Sequence, residues 1–417
     1  MQLAAHIQAS ILLLDLFFAS GAPFDMIMAK FFKKNRTGSH DRRAIAEFSY
    51  TVFRNFEKVK FLSSRITSDL GRFYVLVFLK AIHTLSEAKI NEIFSGKPYH
   101  PASLTEFERK FLLSLDQGND FPENAKLNYP QWMTPLLKRS FSQEELPNEM
   151  LALNEKACVD LRVNTLKSSK DEVKKMLVDS GFEVEDCCYS TLGLRLLNGR
   201  VSRNNDVLAK GLAEIQDEGS QLVTEISAVV PGHTIVDFCA GAGGKTLAFA
   251  ALMQNKGRIF ALDKYEERLA QAKIRCRRAN VSNVFYQQIT GKWVKRHLEC
   301  ADLVLVDAPC SGSGTWRRNP DMRAKFTFQD LAELLHIQEE ILESAHRLVK
   351  KNGKLIYATC SILKEENEDQ VAKFLDNHPE FIAQKIELST YTGNYLKLTP
   401  LRHKTDGFFA AILRKNL

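Results

Sequence analysis

The stretch Thr234-Ile-Val-Asp-Phe-Cys-Ala-Gly-Ala-Gly-Gly-Lys-Thr246 limits what this chain can fold into, because its pattern returns three times downstream. Phe260-Ala-Leu-Asp263, Leu303-Val-Leu-Val-Asp-Ala-Pro-Cys310 and Leu355-Ile-Tyr-Ala-Thr-Cys360 are also short apolar runs that end in a polar or reactive residue. A continuous apolar run of about four to six residues, bounded by turn residues, reads as a strand buried on both faces, and the stretches between have helical spacing. The expected product is a doubly wound parallel sheet of the α/β, Rossmann-like class, whose ligands collect outside the carboxyl ends of the strands. Asp237, Asp263, Asp307, Cys310 and Cys360 should then face one crevice.

Gly241, Gly243 and Gly244 let backbone approach a ligand closely at the N-terminus of the following helix. A nucleoside-triphosphate loop fits Gly244-Lys-Thr246 but finds Cys239 where its first glycine belongs, and a dinucleotide loop finds Thr246 where its last glycine belongs. S-adenosylmethionine remains, a sulfonium with an amino-acid zwitterion and a ribose. Asp237 can face its ammonium group, and Asp263, about twenty residues past the glycine turn, can accept both ribose hydroxyls. The bland alternative is a tight turn with surface acids; the strand-end Asp263 weighs for the cofactor.

A chain of 417 residues has room for about two or three domains and a sizeable core. Its 57 Lys and Arg against 50 Asp and Glu leave +7, which permits an anionic partner without demanding one. The eight cysteines include no Cys-x-x-Cys pair, and the neighbours Cys187 and Cys188 cannot easily ligate one ion. Neither a metal nor a disulfide framework is expected, which suits a reducing, cytoplasmic setting. Ile11-Leu-Leu-Leu-Asp-Leu-Phe-Phe18 lacks the cationic lead of a signal peptide and reads as a buried amphipathic helix; no run reaches membrane-spanning length, and no membrane partner is expected.

Residues 1–125 show helical periodicity broken by Gly21-Ala-Pro23, Thr37-Gly-Ser39 and Gly96-Lys-Pro98, which predicts an all-helical domain. Ser39 or Asp41 is expected to cap the helix that carries Ile45, Phe48, Val52 and Phe53. Lys30-Phe-Phe-Lys-Lys-Asn-Arg36, continuing to His40-Asp-Arg-Arg43, interleaves cations with two phenylalanines, so Lys33, Lys34, Arg36 and Arg43 are candidates for RNA phosphates. A solvated helix end with Phe31 and Phe32 in the core explains that stretch equally well. Residues 126–213 change to a small α+β texture, in which Arg162 alternates with Leu161 and Val163 and can present its guanidinium to nucleic acid from an open sheet face. Residues 214–417 carry the sheet. After Cys310, the polar run to Arg323 is too long for a bare turn, and Arg317, Arg318 and Arg323 around Trp316 suit phosphates and a base. Asp406-Gly-Phe-Phe-Ala-Ala-Ile-Leu413 is expected as a last, antiparallel edge strand.

Two strand-end cysteines set the chemistry. The C5 carbon of cytosine is too poor a nucleophile to take a methyl group directly, whereas a thiolate added at C6 makes C5 enamine-like, and a carboxyl group at N3 drains the developing charge. Either Cys310 or Cys360 can be that thiolate, with Asp307 beside it. A single strand-end cysteine is more often a small buried hydrophobe; two sharing a crevice with an acid are harder to explain so.

With these residues in place, the chain resembles the bacterial RNA cytosine-5 methyltransferases of the Sun/Fmu type, which modify 16S ribosomal RNA. The resemblance runs over nearly the whole chain and is carried by Asp307-Ala-Pro-Cys-Ser-Gly-Ser-Gly314, Ala358-Thr-Cys-Ser361 and Cys239-Ala-Gly-Ala-Gly-Gly-Lys-Thr246. It implies a multidomain chain: an all-α NusB-like RNA-binding domain (1–125), a small α/β RNA-recognition module (126–213) and a class I methyltransferase domain (214–417). It implies Cys360 as nucleophile, Cys310 as the residue that helps release product, and Lys245, Asp263 and Asp307 at cofactor and base. Cys239, Ala240, Gly241, Ala242, Gly243, Gly244, Lys245, Asp263, Arg268 and Asp307 form the implied S-adenosylmethionine set. Ala242 stands where many members have proline, and Thr290 where many have an aspartate near the adenine. A monomer is expected, with ribosomal RNA favoured over transfer RNA as partner. The rivals are a transfer-RNA methyltransferase and a non-catalytic RNA-binding assembly factor that has kept the fold; intact Cys310, Cys360 and Asp307 argue against the second.

Overall fold

Leu3–Ala19 forms the first helix, which buries Ile7, Leu13 and Leu14 fully in the bundle while Leu3, Leu12 and Leu16 stay exposed. Helices Phe24–Lys34, Ser39–Phe53, Phe56–Leu62, Leu70–Val77, Glu87–Ile93 and Glu106–Ser114 share its core. Phe17, Phe24 and Phe53 meet edge to face with ring centroids 5.0–5.6 Å apart, the geometry that aromatic quadrupoles favour. The expected cap at Ser39 or Asp41 is not the one formed. Gly38 holds the N-cap position, and Asp41 pairs instead with His6 Nε2 at 2.8 Å, so the acid ties two helices together.

In the computed structural model, which describes residues 2–115, 120–199, 201–202 and 204–416, the chain forms two compact units. One comprises Met1–Pro135, Gln143–Asn154 and Arg318–Phe326; the other comprises Leu136–Ser142, Glu155–Arg317 and Thr327–Leu417. Inside the first, Asn128 gathers the chain: its Nδ2 donates to the carbonyls of Phe53 and Arg54, and its Oδ1 accepts the Glu57 N–H. Among the described residues no helix is long and apolar enough to cross a membrane.

The second unit contains two main sheets. The smaller is antiparallel, with β1 (Val159–Val163), β2 (Val184–Asp186), β3 (Gly193–Leu196) and β4 (Ala213–Ile215) in the order β2-β3-β1-β4. Helix Lys170–Asp179 lays Val173 and Leu177 on its apolar face, and Ser169 and Glu172 close a reciprocal capping box at its start.

The larger sheet is Rossmann-like and mixed. Its strands β5 (Thr234–Asp237), β6 (Arg258–Asp263), β7 (Val284–Gln288), β8 (Ala301–Asp307) and β9 (Val349–Thr359) are parallel. Strands β10 (Phe381–Gln384), β13 (Leu396–Leu398) and β14 (Phe408–Lys415) complete it, while β11 (Ile386–Leu388) and β12 (Tyr391–Gly393) pair only with each other. The order β10-β14-β9-β8-β5-β6-β7 has its switch point between β5 and β8. Both faces are covered, as the unbroken apolar runs require. Val304, Val306, Leu355 and Tyr357 pack with Leu342, Val371 and Phe374 on one side, and Leu303, Leu305 and Ile356 pack with Leu222, Phe249 and Met253 on the other. The last strand is antiparallel as expected but is not an edge: β14 lies between β9 and β10. Its run Phe408–Leu413 is buried throughout, which a solvated edge would not allow.

Candidate active site

Strand β5 ends in Asp237, and the chain turns through residues 238–243 into helix Gly244–Leu252. Gly243 has φ 80°, and a Cβ there would lie 2.9 Å from the Cβ of Ala272, so only glycine closes the turn. Gly241 has φ 54°, but a Cβ built on it meets nothing within 4 Å: the turn is open above it. Asp263, at the end of β6, accepts the Gly241 N–H at 2.9 Å and the Tyr265 N–H at 2.8 Å, one with each oxygen. Arg275 donates to the Ala242 carbonyl at 2.8 Å, and Ala240 N–H bonds Leu262 O. Arg268 is exposed and stands over the Tyr265 ring, 5.0 Å from its centroid.

Asp237 does not face the crevice. Its side chain is wholly buried and accepts the Thr246 hydroxyl at 2.6 Å; Oδ1 is buried without a hydrogen-bond partner. Burial pushes this carboxyl up to about 7, against the opposing pull of Thr246. Burial also raises the Cys239 thiol. Asp237 therefore supports the turn from below, and the sequence reading that set it against an ammonium group is corrected.

Parallel pairing of β8 with β9 sets Asp307 opposite Ala358, which brings the two cysteine-bearing loops side by side. Cys310 Sγ and Cys360 Sγ lie 3.5 Å apart. Lys245, from the first turn of the helix that follows the glycines, reaches Asp307 Oδ2 at 2.7 Å and joins the glycine turn to the cysteine loop. The hydrogen bond with Cys360 and the loss of solvent push the Cys310 thiol well above its ordinary range. Buried serines back both cysteines: Ser311 and Ser361 donate their hydroxyls to the same Glu366 carboxylate oxygen, each at 2.5 Å.

Residues 226–414 match the family described as 16S rRNA methyltransferase RsmB/F, and residues 129–202 match the ferredoxin-like domain of RsmF/B-like methyltransferases. A Synechocystis protein named "Probable ribosomal RNA small subunit methyltransferase B" is 32% identical over 324 residues, 74% of this chain and 72% of its own. The ribosomal RNA small subunit methyltransferase B of Photorhabdus laumondii is 31% identical over 338 residues, 80% of this chain and 75% of its own. The chain belongs to the RsmB/F family of 16S rRNA methyltransferases. Among solved structures, a methyltransferase homolog protein from Pyrococcus horikoshii matches 70% of this chain and 97% of its own at TM-score 0.62 and 29% identity. The crystal structure of PH0851 matches 100% and 99% at TM-score 0.83 and 28% identity.

Within this RsmB/F member, three of the arginines assigned to RNA lie inside the protein. Arg162 is 6% exposed, donates to Gln216 and to the Gly244 carbonyl at 2.8 Å, and is lowered to about 10 by burial. It braces the glycine turn; the sheet face that alternation assigned to it is covered, not open. Arg317 pairs with Asp406 at 3.1 Å. Arg323, 1% exposed, donates to the carbonyls of Asn128 and Leu153 and to Asn154, and burial together with Arg54 lowers it to about 9. Trp316 is core as well, and Arg318 is half-buried. Lys33, Lys34, Arg36 and Arg43 are exposed, while Phe32 is buried and Phe31 packs against the helical core, the arrangement that a solvated helix end describes. Thr290 caps helix Gly291–Arg296 through the Trp293 N–H. Sequence reasoning missed Glu366 altogether; the one trace it left is that a serine follows each cysteine.

Proposed function

We propose that this chain methylates C5 of a cytosine in small-subunit ribosomal RNA through a covalent bond between Cys360 and C6. The observation that carries the reading is the pair of thiols 3.5 Å apart at adjacent strand ends, next to the Lys245–Asp307 pair. S-adenosylmethionine supplies an electrophilic methyl group on a sulfonium. The site suits it: Asp263 offers two oxygens that each accept only one backbone N–H, beside a turn left open above Gly241. Cys239, Ala240, Ala242, Gly243, Gly244 and Lys245 would line the turn, with Arg268 at its rim.

The Cys360 sulfur forms a bond to C6, and the C5–C6 π electrons become available at C5. Asp307, held by Lys245, meets the polar edge of the base, where the charge develops. C5 takes the methyl group; Cys310, acting as its thiolate, then takes the C5 proton, the C6–S bond breaks, and the double bond and the Cys360 thiolate return. The resemblance gives the attack to Cys360 and the release to Cys310, and the 3.5 Å between the sulfurs supports both acting on one base. We further infer a modular chain with a NusB-like domain over 1–125, an RNA-recognition module over 126–213 and the methyltransferase over 214–417.

The test is to incubate the chain with 16S RNA from a strain lacking the enzyme and to read conversion-resistant cytosines by bisulfite sequencing. One new protected cytosine supports the reading; a methyl group on transfer RNA alone, or on any atom other than C5, defeats it. If the exposed cluster Lys33, Lys34, Arg36 and Arg43 holds phosphates, neutralising all four should reduce the slope of log affinity against log salt by about one unit per lost contact. A filter-binding series at increasing salt measures this, and an unchanged slope makes the patch plain solvated surface.

A further inference from the structure

Glu366 is fully buried between the two cysteine-bearing loops, and its carboxylate takes four donors. Oε1 accepts the Ser311 N–H at 2.7 Å and Gln338 Nε2 at 3.1 Å; Oε2 accepts the hydroxyls of Ser311 and Ser361. Ser311 directly follows Cys310, and Ser361 directly follows Cys360. Further bonds close the bridge. Ser313 Oγ lies 3.0 Å from Ser361 Oγ and accepts the Ile362 N–H at 3.1 Å, and Gly314 N–H donates to the Cys360 carbonyl at 3.0 Å. Gln338 in turn reaches the Pro309 carbonyl at 3.0 Å, and the Tyr357 hydroxyl bonds the Glu366 carbonyl at 2.6 Å.

A carboxylate shut away from water is tolerated only when its oxygens are satisfied, and charge-assisted bonds of this length are the strong ones. Removing it leaves the Ser311 N–H without its acceptor and takes from both serine hydroxyls and Gln338 the one charged acceptor they share, so the two loops lose the group that holds them in common. The strands themselves are held by the apolar clusters on both faces of the sheet. Cys360 directly follows Thr359, the last residue of β9, and Cys310 lies three residues past Asp307 at the end of β8.

We propose that Glu366 is a positioning residue that fixes Cys310 and Cys360 relative to each other, and thereby couples formation of the RNA adduct to its release. The proposal rests on the two-cysteine reading above, but its first test does not. In the full-length protein without RNA or cofactor, the azo oxidant diamide takes two electrons and two protons from the thiols, leaves as the hydrazine, and joins Cys310 to Cys360 if the sulfurs are in register. Peptide mapping by mass spectrometry follows the bond. The wild-type chain should cross-link these two cysteines readily, Glu366→Ala about tenfold more slowly, and Glu366→Gln close to the wild-type rate. The glutamine keeps the shape, and its amide can donate to serine hydroxyls that rotate to accept.

In the second test, Glu366→Ala should lower kcat about a hundredfold, the cost of misplacing a reacting group by about 1 Å, with the affinity for S-adenosylmethionine unchanged. Retained cofactor affinity certifies the fold. If Glu366→Ala does not fold, Ser361→Ala frees only the Cys360 side and should give the same slower cross-linking. Folded Glu366→Ala, or Ser361→Ala in its place, that cross-links at the wild-type rate overturns the proposal, and so does slower cross-linking in that variant with undiminished turnover. Failure of the cysteine chemistry itself would show separately, as turnover that survives loss of Cys360.

Discussion

Cys360→Ala should lose methyl transfer and form no covalent RNA adduct, whereas Cys310→Ala should accumulate one. Removing a nucleophile that acts as one member of a unit lowers kcat on the order of 10⁴- to 10⁶-fold, because nothing else in the site can make C5 reactive. RNA affinity should change little, since neither substitution removes a cation that could hold a phosphate. Loss of Cys310 acts later, after the C6–S bond and the new methyl group are in place, so enzyme and RNA stay joined. Labelled RNA, cofactor and each variant run on a denaturing gel distinguish the cases. An adduct in Cys360→Ala with none in Cys310→Ala would exchange the roles; activity in both variants would reduce a 3.5 Å thiol pair to packing.

Asp263→Ala should weaken S-adenosylmethionine binding by tens to a hundredfold. A charged acceptor serving two hydroxyls contributes about 2 to 3 kcal/mol, which converts to that range at about 1.4 kcal/mol per decade. Part of the loss comes through the protein itself, because the same carboxylate holds the Gly241 and Tyr265 N–H groups. Asp263→Asn separates the two contributions: it keeps an oxygen for one backbone N–H and loses the charge, so it should fall between wild type and alanine. Titration calorimetry checks all three, and equal affinity in Asp263→Ala removes the ribose assignment.

The strands were legible because each is a run of apolar residues that only a doubly covered sheet can bury, and their ends were legible because a polar residue follows at once. Strand order was not. Nothing local in Phe408–Leu413 says that it inserts between β9 and β10, since that choice is made by partners far away in the chain. The glycine turn and the cysteines were readable because their chemistry limits which residues can serve. The arginines were not, because a guanidinium has the same letter whether it meets a phosphate or, like Arg162, a buried carbonyl; only the neighbours decide. Glu366 was invisible for a related reason. Its meaning lies in Ser311, 55 positions away, and a serine beside a cysteine carries no signal of its own.

The segment Arg318–Phe326 packs within the helical unit although the chain reaches it only after most of the larger sheet. Arg323 serves acceptors on Asn128, Leu153 and Asn154, and Lys325 caps the carbonyls of Phe17 and Ser20 at the end of the first helix. During synthesis, which proceeds from the N-terminus at about 5 to 20 residues per second, the helices emerge long before these two cations exist. The unit that is made first is therefore finished late. A nascent chain arrested before residue 318 presents an incomplete bundle with its acceptors open to water, and a gene fragment ending at 154 encodes that same unfinished object.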